Sequence, residues 1–454
     1  MNDWTNSELR VERAQELYEE GRLAEAAAEL RAAIEVNPYN ASWHFNLGLT
    51  LEAMEDYEHA VEAFRRAGEL DGQDLETLNS LGVNLSRMGS YAEALECFER
   101  IERMDPSFEP SYCNRIITYT EIGEHEKAET MFYLARQVKD ACPLCLYNIG
   151  NSYFAQSRYD RAAQCFNQAL ELDPKCPQVH SRLGETLWAA GKLPEACEEY
   201  LAELRLNPGD IDSLLDLGEL LMERKEYDQA GEKFRRVLEL EPENAAAHVQ
   251  LGDLAMKRGR LDQAEKAYCR ALRADPKYPG AHVRLGQLLI KRRQYTQAVR
   301  SLFEEIACSG EDPETLQDVG QLMMEARHAE CANVILRRLV ELTPDDAAAQ
   351  HNLAVSFFLM DRMDEGIRHC RRALKIKPGY LLALYNLALA HMQKGQLSRA
   401  RRYAARALTV APTDRRVLLL SRRLGMSGLW DRLRARLVAR PRRAAGKTPP
   451  KTSP

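Results

Sequence analysis

The amino-acid sequence predicts an all-α protein in which pairs of helices stack into a solenoid. The dipeptide Asn-Pro or Asp-Pro recurs at 34 residues or a multiple of 34, for example at Pro38, Pro106 and Pro174. Twelve consecutive units of this length run without insertion from Ser7 to Asp414. A unit this short cannot bury its apolar face alone, so stacked neighbours must share a continuous core.

Each unit predicts two amphipathic helices and a turn, as residues 245–278 illustrate. The first helix covers about residues 246–257 and the second about 261–273, each with apolar side chains along one face. Gly259 lies in the turn between them. Pro276 ends the second helix, because proline cannot continue one.

Three positions of the unit predict how its helices pack. Position eight is glycine or alanine in eleven of twelve copies, and position twenty is alanine in eleven and glycine in one. Glycine inside a helix costs about 1 kcal/mol relative to alanine, so we expect these two positions to face each other with nearly touching backbones. Position twenty-four commonly carries a ring, which we expect to fill the space between one unit and the next. The rings are Phe64, Phe98, Phe132, Phe166, Tyr200, Phe234 and Tyr268.

These copies resemble the tetratricopeptide repeat family, over 408 of the 454 residues. The resemblance implies a right-handed superhelix whose first helices line a concave groove and whose second helices form the convex back. Repeat four, residues 109–142, departs from the pattern with Arg115 and Ile116 in place of Leu-Gly and with Asp140 in place of the closing proline. We therefore expect looser packing or a bend near residues 115–145.

Composition excludes several classes of protein. The chain is 45% apolar and 29% charged, unlike collagen, a disulfide-rich mini-protein or a wholly disordered chain. No stretch approaches about 18 uninterrupted apolar residues, and the first residues do not resemble a signal peptide. Eleven cysteines at irregular spacing do not suggest a disulfide framework. We therefore expect free thiols and a cytoplasmic location.

The predicted groove consists of positions two, five, six, nine, twelve and thirteen of the first helices. At position six, side-chain amides both donate and accept hydrogen bonds, so they can hold a peptide backbone. These residues are Asn46, Asn114, Asn148, Asn352 and Asn386. Similar asparagine ladders occur in family members that bind extended peptides. The alternative is that Asn-Leu-Gly is ordinary family usage, since other residue types interrupt the middle of this ladder.

Position twelve carries a large apolar side chain in eight consecutive repeats. The residues are Phe154, Trp188, Met222, Met256, Ile290, Met324, Phe358 and Met392. Flexible methionines beside aromatic rings suit a surface that accepts varied apolar partners. The alternative is that these side chains pack between neighbouring first helices. Acidic residues flank the stripe, which favours a basic or neutral amphipathic segment as the ligand.

One pair of cysteines has a spacing that metal and redox sites use. Cys142 and Cys145 form a CxxC, which can supply half of a zinc site or a reactive thiol pair. No second CxxC or histidine pair completes a site in the sequence, so we expect a structural role, with a metal or redox role as the alternative. The sequence contains no HExxH, GxSxG or GxGxxG, and we expect no catalysis and no cofactor.

The C-terminal part of the chain is basic. Residues 361–454 contain 23 Lys and Arg against 5 Asp and Glu. We expect residues 415–440 to form a capping helix and a basic amphipathic helix, and residues 441–454 to be disordered. The predicted basic patch consists of Arg399, Arg402, Arg432, Arg434, Arg436 and Arg440. It could contact nucleic acid or a membrane, dock the acidic body of another copy, or act as a solubilising cap.

Taken together, these patterns predict a non-enzymatic interaction scaffold in the cytoplasm. Its repeats, residues 7–414, follow a short N-terminal extension, residues 1–6. The groove would bind a peptide or helix of a partner protein, with no small-molecule substrate. The alternative is an assembly factor that contacts anionic nucleic acid or a membrane surface through its Arg-rich end.

Overall fold

The computed structural model describes residues 3–140, 142–310 and 312–426, with side chains from Ser7 onward. These residues form 25 α-helices, and none of them lies in a strand. The all-α fold class is therefore confirmed. The chain divides into two compact units, Met1–Arg236 and Val237–Pro454.

The first unit consists of helices joined by short turns. They are α1 (Asp3–Glu19), α2 (Leu23–Val36), α3 (Ala41–Ala53), α4 (Tyr57–Leu70), α5 (Leu75–Arg87), α6 (Tyr91–Met104), α7 (Glu109–Glu121), α8 (His125–Val138), α9 (Pro143–Ala155), α10 (Tyr159–Leu172), α11 (Val179–Ala189), α12 (Leu193–Leu206) and α13 (Ile211–Glu223). The boundary between the units falls within α14 (Tyr227–Leu240). Helix α1 begins inside the segment expected as an N-terminal extension.

The second unit contains the remaining helices. They are α15 (Ala245–Lys257), α16 (Leu261–Ala274), α17 (Ala281–Lys291), α18 (Tyr295–Ser309), α19 (Pro313–Glu325), α20 (Ala329–Leu342), α21 (Ala347–Leu359), α22 (Met363–Ile376), α23 (Leu381–Gln393), α24 (Leu397–Val410) and α25 (Arg415–Arg423). Helix α25 lies where the capping helix is predicted. It buries Val417 and Leu420, and Leu424, the residue after its last turn, is buried as well. The predicted second basic helix and the C-terminal tail lie outside the described residues.

Local sequence fixes where the helices begin. Helices α3, α5, α7 and α9 start at 34-residue intervals. Several first helices follow an Asp or Asn whose side chain accepts backbone N–H groups of the first turn. Asn40 accepts from Trp43, and Asp74 accepts from Glu76 and Thr77. Such a cap stabilises a helix by about 1 kcal/mol, so the polar residue before these first helices helps to set the register of their repeats.

The glycine at position eight makes room for a ring of its own repeat. A Cβ built on Gly48 would lie 2.6 Å from Cε1 of Phe64, and one built on Gly82 would lie 2.6 Å from Cε1 of Phe98. The three atoms nearest to each of these built Cβ positions all belong to the ring. At Gly286, a backbone atom of position twenty is also near, since the built Cβ would lie 3.7 Å from the carbonyl oxygen of Ala298. The expected close approach of the backbones at positions eight and twenty stays a prediction.

Repeat four packs differently because Ile116 stands where the other repeats have glycine or alanine. Ile116 is fully buried, and Phe132, the ring of the same repeat, is 8% exposed, whereas Phe64 and Phe98 are 0% exposed. Phe132 borders a cavity of about 300 Å³. The branched side chain fills volume that a ring occupies elsewhere. The looser packing or bend expected near residues 115–145 stays a prediction.

A charged pair joins repeats three and four. The Arg115 side chain is 7% exposed and donates to Oε2 of Glu102 at 2.5 Å. A buried guanidinium without such a partner would be costly, so this ion pair makes Arg115 tolerable next to Ile116.

Among the described helices, none combines the length and the apolar character needed to cross a bilayer.

Candidate functional site

The asparagines predicted for the groove differ in what they contact. Asn114 donates to Oδ1 of Asn79 at 2.8 Å, and Asn148 donates to the carbonyl oxygen of Cys113 at 3.4 Å. Asn148 is buried and Asn114 is half-buried, whereas Asn46 is exposed. In the first unit, two of these amides therefore bond to the preceding repeat, and Asn46 faces solvent.

In the second unit the two remaining asparagines flank a buried histidine. Nδ2 of Asn386 lies 2.9 Å from Nε2 of His351. Burial lowers the pKa of His351, so the neutral ring can accept this hydrogen bond. Asn352 is half-buried and hydrogen-bonds to the same histidine, which partly offsets that lowering. Asn386 thus links α23 to α21, whereas the contact of Asn352 lies within α21.

The apolar side chains at position twelve are all half-buried. They are Phe154, Trp188, Met222, Met256, Ile290, Met324, Phe358 and Met392. Trp188 donates its indole N–H to Oε2 of Glu223 at 2.7 Å, and the Arg182 guanidinium lies 4.9 Å from the centre of the Phe154 ring. Each of these side chains therefore divides its surface between helix packing and solvent.

A depression of about 400 Å³ lies on the first helices of the second unit. We call it the second-unit depression. Its lining is Met256, Gln287, Ile290, Lys291, Asp318, Gln321, Leu322 and Glu325. All of these residues except Leu322 fall at positions six, nine, twelve or thirteen, which the sequence assigned to the groove. Met324, also predicted for the groove, does not line the depression, although like Ile290 it packs against the core that includes Leu316 and Leu336.

A second candidate site lies between repeats four and five. Four side chains, Glu109 and Cys113 of α7 with Cys142 and Cys145 at the start of α9, place one sulfur or oxygen atom each within 4.8 Å of one another. We call them the repeat-four cluster. The three cysteines are buried and Glu109 is half-buried. The CxxC is thus completed by residues that lie 29 to 36 positions earlier in the chain.

Sulfur chemistry already links two members of the repeat-four cluster. A disulfide joins Cys113 to Cys145, and Sγ of Cys142 lies 3.9 Å from Sγ of Cys113. The expectation of free thiols is therefore wrong for this pair. The bond forms because α7 packs against α9 and the two cysteines lie on facing turns of these helices. The other nine cysteines are free.

The start of α9 shapes the environment of Cys142. Its sulfur caps the helix by accepting the backbone N–H of Cys145 at 3.3 Å. Burial, with a smaller contribution from hydrogen bonding to Glu109, raises the pKa of this thiol, while the backbone hydrogen bonds oppose the rise. The adjoining cavity of about 300 Å³ opens toward Arg136 and Lys139.

The sequence contains a signal for this cluster that is not one of the familiar metal motifs. Contacts between neighbouring first helices recur at separations of 31 and 35 residues, as in Arg284 with Asp253 and Trp188 with Glu223. Cys113 and Cys145 are separated by 32 residues. Applying the repeat interval to the cysteines would have brought them together.

Only part of the predicted basic patch lies within the described structure. Arg399 and Arg402 are exposed on α24. Arg399 donates to Oε1 of Gln396 at 3.2 Å. The remaining predicted members, Arg432, Arg434, Arg436 and Arg440, lie outside the described residues.

Comparison with known families agrees with the helical repeat. Models described as tetratricopeptide repeat match residues 37–107, 147–211, 215–279, 249–314 and 357–424, and a model described as TPR repeat matches residues 14–55. These matches cover most of the chain. The chain belongs to the tetratricopeptide repeat family, whose members typically mediate protein interactions.

Individual relatives are similar over less of the chain or at lower identity. Peroxisome biogenesis protein 5 of Arabidopsis thaliana is 37% identical over 78 residues, which are 17% of this chain and 11% of the relative. The chain thus spans about a tenth of that protein. The crystal structure of yeast Tom70 covers 96% of this chain and 98% of its own, at 16% identity and a TM-score of 0.43. The structure of Pseudomonas aeruginosa pilF covers 49% of this chain and 100% of its own, at 21% identity and a TM-score of 0.42.

Proposed function

We propose that the chain is a non-enzymatic cytoplasmic scaffold that binds a peptide or helix of a partner protein on its first helices. The observation that carries this proposal is the second-unit depression, of about 400 Å³. It coincides with positions that the repeat pattern assigns to the groove. No cofactor or small-molecule substrate enters the proposal.

The lining of the second-unit depression suits an amphipathic segment. Met256 and Ile290 provide a half-buried apolar floor, and the exposed amides of Gln287 and Gln321 offer donors and acceptors. Interfaces of this kind combine an apolar centre with a polar rim. The flexible Met256 side chain can adapt to different apolar residues of a ligand.

The rim of the depression sets a charge preference. Asp318 and Glu325 oppose the single cation Lys291 among the lining residues. A ligand with a neutral or basic polar face therefore suits this surface better than an acidic one. Rim charges contribute about 0.5–1 kcal/mol each to the binding free energy and are screened by salt. They therefore affect the choice between ligands more than the overall affinity.

Site-specific photocrosslinking in native cell extract tests the proposal. A photoreactive residue at Gln287 or Gln321 should yield discrete partner adducts. The matched controls place the same residue at Gln263 of α16 or Thr296 of α18, which are also exposed but lie on second helices. Equal labelling from both sets, or adducts from the controls alone, would contradict the proposal.

A charge substitution tests the ligand preference separately. Glu325→Lys should weaken binding of the captured basic or neutral segment by about 0.5–1 kcal/mol at low salt, and by less at high salt. Lys291→Glu is the matched control and should strengthen the binding of a basic segment. The proposed preference fails if both variants change affinity in the same direction.

The basic helices near the C-terminus support a second candidate function. Helices α24 and α25 contain no acidic residue within their bounds, and Arg402, Arg422 and Arg423 are exposed. We propose contact with an anionic surface as the alternative role. Reversing Arg402 and Arg422 to glutamate should weaken salt-sensitive binding to anionic vesicles or to heparin. Binding of unchanged strength after both reversals would remove the part of this alternative that rests on α24 and α25.

A further inference from the structure

The repeat-four cluster supplies a complete set of donors for one thiophilic cation. Glu109 and Cys113 are one turn apart on α7, and Cys142 and Cys145 are three residues apart at the start of α9. Three thiolates and one carboxylate are all ligands that Zn²⁺ accepts, and structural zinc sites are four-coordinate. Two rigid helices therefore present two ligands each.

The spacing of the donor atoms agrees with a tetrahedron. Zinc–sulfur bonds of about 2.3 Å place the sulfurs of a tetrahedral site roughly 3.8 Å apart. Sγ of Cys113 lies 3.9 Å from Sγ of Cys142. Oε1 of Glu109 lies 3.3 Å from Sγ of Cys113 and 3.4 Å from Sγ of Cys145. The four donor atoms all lie within 4.8 Å of one another, and the bonded pair, Cys113 and Cys145, must separate to complete the arrangement.

The surroundings of the cluster meet the other requirements of a zinc site. Cys113 and Cys145 are 2% and 1% exposed, so bulk water is excluded from two of the sulfurs. The Cys145 N–H donates to Sγ of Cys142, and Nζ of Lys139 lies 4.0 Å from Oε2 of Glu109. These contacts orient ligands and offset negative charge. The adjoining cavity, bordered by Cys142 and Cys145, provides an entry path.

We infer that Glu109, Cys113, Cys142 and Cys145 form a structural zinc site when the disulfide is reduced. A dithiol reductant converts the Cys113–Cys145 bond into two thiols with two electrons and two protons, and itself becomes a disulfide. Binding of Zn²⁺ to the three thiols then releases three protons to the solvent. The disulfide and the zinc site are therefore alternative states of the same junction, one oxidised and one reduced.

Metal content of the full-length chain tests the inference. Protein purified with reductant and without chelator should contain about one zinc per chain by elemental analysis. Cys142→Ser and Cys145→Ser should each lower zinc affinity by more than the roughly 10- to 100-fold typical of an outer-shell substitution. Cys165→Ser and Cys97→Ser, half-buried thiols elsewhere in the first unit, are the matched controls and should leave zinc content unchanged.

Cobalt substitution keeps the test decisive if a serine variant fails to fold. The reduced wild-type chain titrated with Co²⁺ should develop thiolate-to-cobalt charge-transfer absorption and the intense visible bands of a tetrahedral site. Oxidation to the disulfide should abolish both. A reduced chain that binds no zinc, shows only weak octahedral cobalt bands, or keeps its zinc in Cys145→Ser would overturn the assignment.

Discussion

Repeats two and four have helices of the same length and position, yet they hold together differently. In repeat two, Gly48 lets the Phe64 ring lie against α3 and become fully buried. In repeat four, Ile116 occupies that place and Phe132 borders a cavity. The junction that follows is joined by the Cys113–Cys145 disulfide. Sulfur chemistry in the first unit thus coincides with the interruption of the ring–glycine pattern.

The largest expected effect comes from removing the ring of an ordinary repeat. Phe98→Ala should lower local stability by about 3–5 kcal/mol, because it leaves a cavity among fully packed atoms. Phe132→Ala should cost less, since that ring already borders open space. Native-state hydrogen exchange of the corresponding peptides measures the local free energies, which a single melting temperature of a repeat array does not. Equal costs would remove the proposed difference between the repeats.

Breaking the disulfide should have the next largest effect. The bond closes a loop between residues 32 positions apart. The chain-entropy account gives roughly 3–4 kcal/mol for a loop of this length. Reduction in the presence of a chelator should therefore speed amide exchange in α7, α8 and α9, while α3 and α4 serve as the internal control. Adding Zn²⁺ to the reduced chain should restore the protection.

A glycine substitution probes the ordinary repeats directly. Gly82→Ala should cost about 1–3 kcal/mol, because its Cβ would lie 2.6 Å from the Phe98 ring. Gly68→Ala is the matched control, since its Cβ would lie 3.7 Å from the nearest side-chain atom. That helical position should be stabilised by up to about 1 kcal/mol. Stabilisation by both substitutions would show that the ring does not require the glycine.

The smallest expected effect concerns a half-buried acid in repeat seven, residues 211–244. Burial, with the charges of Glu185 and Glu219, raises the pKa of Asp216 to about 6. The folded state therefore binds this proton more tightly than the unfolded chain, whose aspartates titrate near about 3.9. The stabilisation is present below about pH 4 and is lost as the pH rises through about 6.

Asp216→Asn should remove this pH dependence from the first unit. At neutral pH the variant should be more stable than the wild type by about 1 kcal/mol or less, since the side chain is only half-buried. Denaturation of both proteins followed by hydrogen exchange at acidic and neutral pH measures the difference. A variant with the same pH slope as the wild type would contradict the assignment to Asp216.

Much of the fold follows from the sequence because the 34-residue period and the capping residues are local signals. Helix α7 begins at Glu109 and α9 at Pro143, one period apart, as the pattern requires. The partner of the position-eight glycine is less predictable, because rings and alanines recur with the same period. Only the three-dimensional structure shows that the atoms nearest to a Cβ built on Gly48 belong to Phe64 and not to Ala60.

The candidate sites were predictable to different degrees. Positions on one helix face follow from periodicity, so the lining of the second-unit depression falls largely on the expected positions. The hydrogen-bond partners of side chains do not follow from periodicity. Asn114 and Asn148 form hydrogen bonds within the protein that the asparagine pattern alone does not indicate. The sequence indicates only half of the repeat-four cluster, the CxxC, because Glu109 and Cys113 belong to no familiar motif and meet Cys142 and Cys145 only through the stacking of α7 on α9.

X-ray absorption at the zinc edge tests most directly the central claim that the interrupted repeat holds a metal site. The reduced, zinc-loaded chain should show three sulfur neighbours at about 2.3 Å and one oxygen at about 2.0–2.2 Å. Cys142→Ser should lose one sulfur from this shell, whereas Cys165→Ser should keep all three. A coordination shell of oxygen and nitrogen atoms alone would contradict the claim. The repeat-four cluster would then form a disulfide but no zinc site.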